Sequence, residues 1–155
     1  MHAFGLSDLG QYLNESNDNT AVIIQIETLA GYDNVEAIAN VKGVGLTPEK
    51  KFVFLMVDVI FIGPFDLSNA LGHPLAHGVE HPVVAEAIQK ILDTAHKAGK
   101  KAGIYTTSYE DARKRVEQGF DMVHIGTDVA LLAGGVGAAV AAAQGKAGGP
   151  AKGGY

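Results

Sequence analysis

The sequence predicts an α/β domain built on parallel strands, and three observations carry that reading. Short β-branched runs recur along the chain, helical patterns alternate with them, and capping residues stand at the junctions. The runs are AVIIQIE (21–27), DVIFIG (58–63), KAGIYTT (101–107) and DMVHIG (121–126), which read as strands buried on both faces. The intervening helical patterns cover 33–41, 82–99, 109–119 and 128–144. Pro82 stands where a helix start tolerates a missing N–H, and Gly99 and Gly119 stand where helices stop. Ser108 is an N-cap with Asp111 three residues on. The order βαβαβαβα implies parallel pairing with right-handed crossovers.

Outside this rhythm, residues 4–14 read as a helix end and a turn into a strand, a start in mid-fold. The Gly- and Lys-rich tail 145–155 has no apolar periodicity and is expected to be disordered. Between the first helix and the second strand lie sixteen residues, 42–57, where such loops usually take about 2–6. Removing 45–57 would join Val44 to Asp58 and leave NVKGVDVIFIGP, an ordinary helix end, turn and strand. An insertion is the preferred reading; a β-hairpin or a longer second strand is the alternative, since KFVFLMV also has β propensity.

Composition narrows the chemistry. The 155 residues are 47% hydrophobic, enough for one domain with its own core. Seventeen acidic against twelve basic residues give a net charge of -5 with no basic stripe, which excludes nucleic acid as a partner. Without cysteine, any metal must be held by oxygen or imidazole, which favours a hard divalent cation such as Mg or Mn. The N-terminal stretch lacks a secretory pattern, and the apolar run 52–63 is interrupted by Asp58 and falls short of the roughly 20 residues a spanning helix needs. A cytoplasmic protein without a membrane span is the expectation.

In parallel α/β folds the reacting groups sit at the carboxyl ends of the strands. Those ends hold Gln25 and Glu27, Gly63-Pro64-Phe65-Asp66, Tyr105-Thr106-Thr107 and Gly126-Thr127-Asp128. Period-two alternation puts Gln25 and Glu27 on one face. Glu27 ends an otherwise apolar strand, and such a carboxylate calls for a cation, a helix cap or a lysine partner. Asp66 reads either as a second metal ligand or as the cap of a short helical turn. Two carboxylates on adjacent strands suit Mg or Mn at an open site completed by water and substrate.

Other groups are weaker. His73, His77 and His81 have four-residue spacing, but the prolines and glycines of GHPLAHGVEHP break any helix that would converge them, so a solvated loop is expected. His124 reads as a satisfied core histidine rather than a catalyst. The GTD at 126–128 fits either a phosphate site or a helix cap.

QIET (25–28), IGPFDLS (62–68), GKKAGIY (99–105) and HIGTDVALL (124–132) together resemble the HpcH/HpaI aldolases, the class II pyruvate aldolases, over residues 8–144 apart from the insertion. The resemblance implies about the last four βα units of a TIM (β/α)8 barrel, so that 1–144 would be the C-terminal half. It further implies that Glu27 and Asp66 ligate a divalent cation, that Gln25 neighbours a bound pyruvate, and that the backbone of Gly63, Pro64 and Phe65 flanks its carboxylate. Phe65 stands where the family usually has a small residue. The implied reaction makes or breaks a carbon–carbon bond between a keto acid and an aldehyde, in a homo-oligomer if the barrel is complete. The family's general base, a histidine, and the arginine that stabilises the enolate belong to the N-terminal half, for which the sequence offers no match. The chain is thus expected to be a fragment, a shortened reading of a gene, or a half-barrel that pairs with another copy. The alternatives are an inactive metal- or keto-acid-binding remnant and, more weakly, a citrate-lyase-like enzyme acting on acyl-CoA esters. Arg113 and Arg115 are the only arginines to grip such a polyanion.

Overall fold

The computed structural model describes residues 20–41, 57–75 and 80–146. Its elements in chain order are β1 (Ile23–Ile26), α1 (Leu29–Asp33), α2 (Val35–Ala39), β2 (Val59–Ile62), α3 (Pro64–Ala70), α4 (Pro82–Lys97), β3 (Lys101–Tyr105), α5 (Tyr109–Glu117), β4 (Met122–His124) and α6 (Asp128–Ala143). The strands make one parallel sheet in the order β1-β2-β3-β4, as the alternation of strand and helix requires.

Two helical details differ from expectation. The helix expected at 33–41 begins earlier and is broken in two, because Thr28 caps α1 by accepting from Gly31 N at 3.1 Å and Asn34 closes it by donating from Nδ2 to Ala30 O at 2.8 Å. A short polar residue that bonds its own backbone ends one helix and starts the next. The turn after β2 is a full helix, α3, with Pro64 in its first turn and with the Ser68 hydroxyl donating to Phe65 O at 2.6 Å.

The strands are not buried on both faces. One face carries Ile26, Ile60, Ile62, Ala102 and Ile104, which are closed off by Val35, Leu67 and the α4 stripe Val84, Ala87, Ile88, Ile91, Leu92 and Ala95. Each large aliphatic group buried there stabilises the fold by about 1.5–3 kcal/mol. The opposite face is more open: Ile23 and Gln25 are exposed, and Phe61, Tyr105 and His124 are half-buried. Among the described residues β1 and β4 are sheet edges, and α6 buries none of its own residues. A four-stranded arc has no second wall to cover that face.

At the amino ends of the strands, Asp121 accepts from Lys101 Nζ at 2.7 Å, from Ala102 N at 3.0 Å and from His96 Nε2 at 2.9 Å. The lysine hydrogen bond, with the backbone and histidine donors, holds its carboxyl far below the usual carboxylate range. No helix among the described residues is long and apolar enough to cross a membrane.

The stretch 45–57 lies outside the described residues except for Val57, which is buried in the core. Beside it, Asp58 is tied to β1, donating from its N–H to Val22 O at 2.9 Å and accepting at Oδ2 from Val22 N at 2.8 Å. Deleting 45–57 sets Val44 directly before Asp58, so a valine still fills the buried position. The shortened chain is therefore expected to melt no lower than the parent in a thermal denaturation followed by circular dichroism. A large drop in Tm would assign these residues to the core instead.

Candidate functional site

The register sorts the open face of the sheet into layers. Gln25, Phe61, Gly103 and Met122 align as successive register partners across all four strands. A Cβ on Gly103 would lie 2.6 Å from Phe61 Cδ2 and 3.0 Å from Met122 Cε, so glycine there is a packing requirement. Two residues onward, at the carboxyl ends, Glu27 lies against Gly63 and Tyr105 pairs with His124.

Gln25 and Glu27 do share a face, and they are joined: Gln25 Nε2 donates to Glu27 Oε2 at 2.6 Å. Glu27 is half-buried rather than buried, and Thr28, not Glu27, caps the following helix. A Cβ on Gly63 would stand 2.9 Å from Gln25 Nε2 and 3.0 Å from Glu27 Oε2. The side-chain pair thus leans over the backbone of the neighbouring strand, and any larger residue at 63 would displace it. Gly63 N donates to Ile26 O at 3.3 Å, and Pro64 has no N–H. The first N–H beyond Gly63 that the turn can present is therefore that of Phe65. Phe65 itself is exposed, as is Asp66 in the first turn of α3, so the structure brings Asp66 to the rim beside Glu27's strand both as a helix-start acid and as an open carboxylate.

Among the described residues no three His, Asp or Glu converge on a point. Half-buried Glu27, exposed Asp66 and the exposed Gln25 amide would offer a cation oxygen donors only. That suits a hard cation of the Mg or Mn type, which takes one or two carboxylates and completes its shell with water and substrate.

Tyr105 and His124, facing partners in the β3–β4 register, stack with ring centroids 4.2 Å apart and planes 18° apart. The Thr106 hydroxyl donates to His124 O at 2.5 Å, fixing the backbone behind the ring. The expectation of a satisfied core histidine fails here: His124 is half-buried, and its Nδ1 is enclosed with no hydrogen-bond partner among the described residues. Spacing alone gave Tyr105 a strand end but no role. The signal available was the place of both residues at the carboxyl ends of their strands.

The remaining groups resolve as structure. His73 and His81 stack face to face, centroids 4.0 Å and planes 9° apart, and His81 Nδ1 accepts from Val83 N at the start of α4. Parallel rings do not converge their nitrogens on one ion; His77 lies outside the described residues. Thr127 caps α6 by accepting from Ala130 N at 3.2 Å, and Asp128 accepts from Val129 N at 2.8 Å, the cap reading of GTD. Arg115 is buried, bonded to Glu80 at 2.5 Å, Asp111 at 3.1 Å and Gln118 at 3.2 Å.

Comparison with known proteins agrees with the parallel α/β fold. The chain is 39% identical over 121 residues to a hydroxypyruvate/pyruvate aldolase of Chromohalobacter salexigens, covering 78% of this chain and 42% of that protein. It is 40% identical over 121 residues to a 5-keto-4-deoxy-D-glucarate aldolase of Klebsiella pneumoniae, covering 78% of this chain and 41% of that one. A crystal structure of a family protein from Burkholderia cenocepacia superposes with a TM-score of 0.69 at 32% identity, over 86% of this chain and 46% of that chain. The chain thus spans about two-fifths of the length of the curated relatives it matches. The parallel sheet agrees with part of the fold of the Burkholderia cenocepacia protein. With the family profile matched over residues 5–134, the chain belongs to the HpcH/HpaI aldolase/citrate lyase family.

Proposed function

We propose that the chain carries the metal- and keto-acid-binding part of an aldolase-type carbon–carbon lyase that joins or separates pyruvate and an aldehyde. The observation that carries this is the Gln25–Glu27 pair at the end of β1, leaning over Gly63 at the end of β2, with Asp66 in the first turn of the helix that follows. When bound, a divalent cation, Mg or Mn, would supply Lewis-acid polarisation of the keto acid's carbonyl.

The chain's own residues do the rest of the positioning. Glu27 and Asp66 would hold the cation, and Gln25 fixes the rotamer of Glu27 through its 2.6 Å bond. The Gln25 amide then lies beside the keto acid. Gly63, kept bare by its neighbours, lets the substrate approach the backbone, and the turn through Pro64 and Phe65 flanks the carboxylate. The Phe65 side chain itself is exposed. The weakest alternative, an acyl-CoA lyase, loses support because Arg115 is spent on Glu80 and Asp111.

The test is calorimetry with Mn. Glu27→Gln and Asp66→Asn, which preserve shape and remove charge, are each expected to abolish measurable binding while leaving the melting curve in place. Unchanged Mn affinity in either variant would refute the proposal.

A further inference from the structure

The connection from α3 to α4 holds a pair of imidazoles that the keto-acid reading does not use. We propose that His73 and His81 form a proton-sensitive clasp, which joins the end of α3 to the start of α4 while both rings are neutral and releases them when the rings take up protons. Each ring is built into a helix terminus. α3 closes with Gly72 in the left-handed region at φ 76° and with His73 N donating to Ser68 O at 2.9 Å, a C-terminal motif whose last residue often makes a packing contact. That residue is half-buried His73, and it stacks on the His81 ring, centroids 4.0 Å and planes 9° apart. His81 in turn is the N-cap of α4: its Nδ1 accepts from Val83 N at 3.3 Å, and its carbonyl accepts from Val84 N at 2.9 Å and Ala85 N at 3.0 Å.

Both contacts require uncharged rings. A ring nitrogen that takes up a proton becomes a donor, so His81 Nδ1 can then no longer accept from Val83 N. A positive charge at the start of α4 also opposes the helix dipole, which favours anions there. Two charged rings stacked at 4.0 Å repel one another. The surrounding groups do not offset these effects. The first turn of α4 has no acid, and the nearest one on that helix, Glu86, lies beyond it. Asp66 stands in the first turn of α3, at the end away from His73. Glu80, next to His81, is held by Arg115 and Lys114 of α5. Among the described residues neither ring has an ion-pair partner. The clasp does not depend on the metal reading of Glu27 and Asp66.

The full chain is followed by NMR from about pH 8 to pH 5, the interval in which imidazoles ordinarily change charge, with ring 15N shifts reporting protonation. Cross-peaks between the two rings are expected at the upper end and their loss at the lower. The Val83 amide is expected to move over the same interval to the shift of a solvent-exposed N–H, while the Ile91 amide in the middle of α4 stays in place. In His81→Asn, whose side-chain oxygen caps a helix without titrating, the Val83 amide is expected to stay put. In His73→Phe, whose ring attracts a charged imidazole rather than repelling it, the ring contact is expected to survive at the acid end. Four results would each overturn the proposal. They are the absence of ring cross-peaks at the upper end, their persistence with both imidazoles protonated, a Val83 shift in His81→Asn equal to that of the parent, and loss of the ring contact in His73→Phe as in the parent. An Ile91 amide that moves together with Val83 would overturn it too, since the change would then be unfolding of α4 as a whole.

Discussion

The chain alone is expected to release pyruvate from a 4-hydroxy-2-keto acid at least about 10²-fold more slowly than the same chain complemented with the N-terminal half of a related barrel. The basis is which groups the described residues contribute. They bring two carboxylates and an amide to the carboxyl ends of β1 and β2, while the family resemblance assigns the base and the enolate-stabilising arginine to the other half of the barrel. General acid–base assistance is worth about 10²–10⁴-fold, and a positioned cationic donor adds to it. Complementation also covers the β1 and β4 edges and the exposed apolar side chains of α6, such as Val129 and Leu132. Pyruvate is measured by coupling to lactate dehydrogenase with Mn present, for the chain alone, with the half-barrel fused, and with it in trans. Turnover by the chain alone equal to that of the complemented form would overturn the prediction and would make His124 the first residue to test as the base.

The largest effect on stability is expected at Arg115. This side chain is only 4% exposed, and its guanidinium is shared among Glu80, Asp111 and Gln118, which fastens the segment entering α4 to α5. Arg115→Met keeps the length of the stem but leaves the Glu80 carboxylate, 15% exposed, with only the longer 3.4 Å contact to Lys114 among the described residues. Removing one partner of a buried pair costs about 3–5 kcal/mol, because the other charge remains without its water. Urea denaturation should show that loss, and a Glu80→Gln/Arg115→Met double variant should recover part of it. A cost below about 1 kcal/mol would mean that the pair is solvated in solution.

Local chemistry made much of this protein legible before any coordinates. The β-branched runs place all four strands within two residues of their observed ends, because side chains of that shape prefer an extended backbone and these runs are too short for a buried helix. Pro82, Ser108 and Thr127 start their helices where expected, since a cap acts on N–H groups two or three residues away and needs nothing more distant. Asn34 shows the limit of the same rule: its side chain could end a helix or lie within one, and only the Ala30 carbonyl it reached decided the matter.

The Gln25–Glu27 pair was readable because period two puts both on one face of one strand. His124 was not, because whether Nδ1 finds a partner depends on what lies across the sheet, and its stacking partner Tyr105 comes from a different strand. Likewise Arg115 is 35 residues from Glu80, and nothing in either segment marks it as the cation that would be buried rather than Arg113. Residue type and spacing therefore determined the elements, their order and the carboxylates at their ends. Tertiary packing decided which polar groups were satisfied, since burial and hydrogen bonding are properties of neighbours that the chain brings together only on folding.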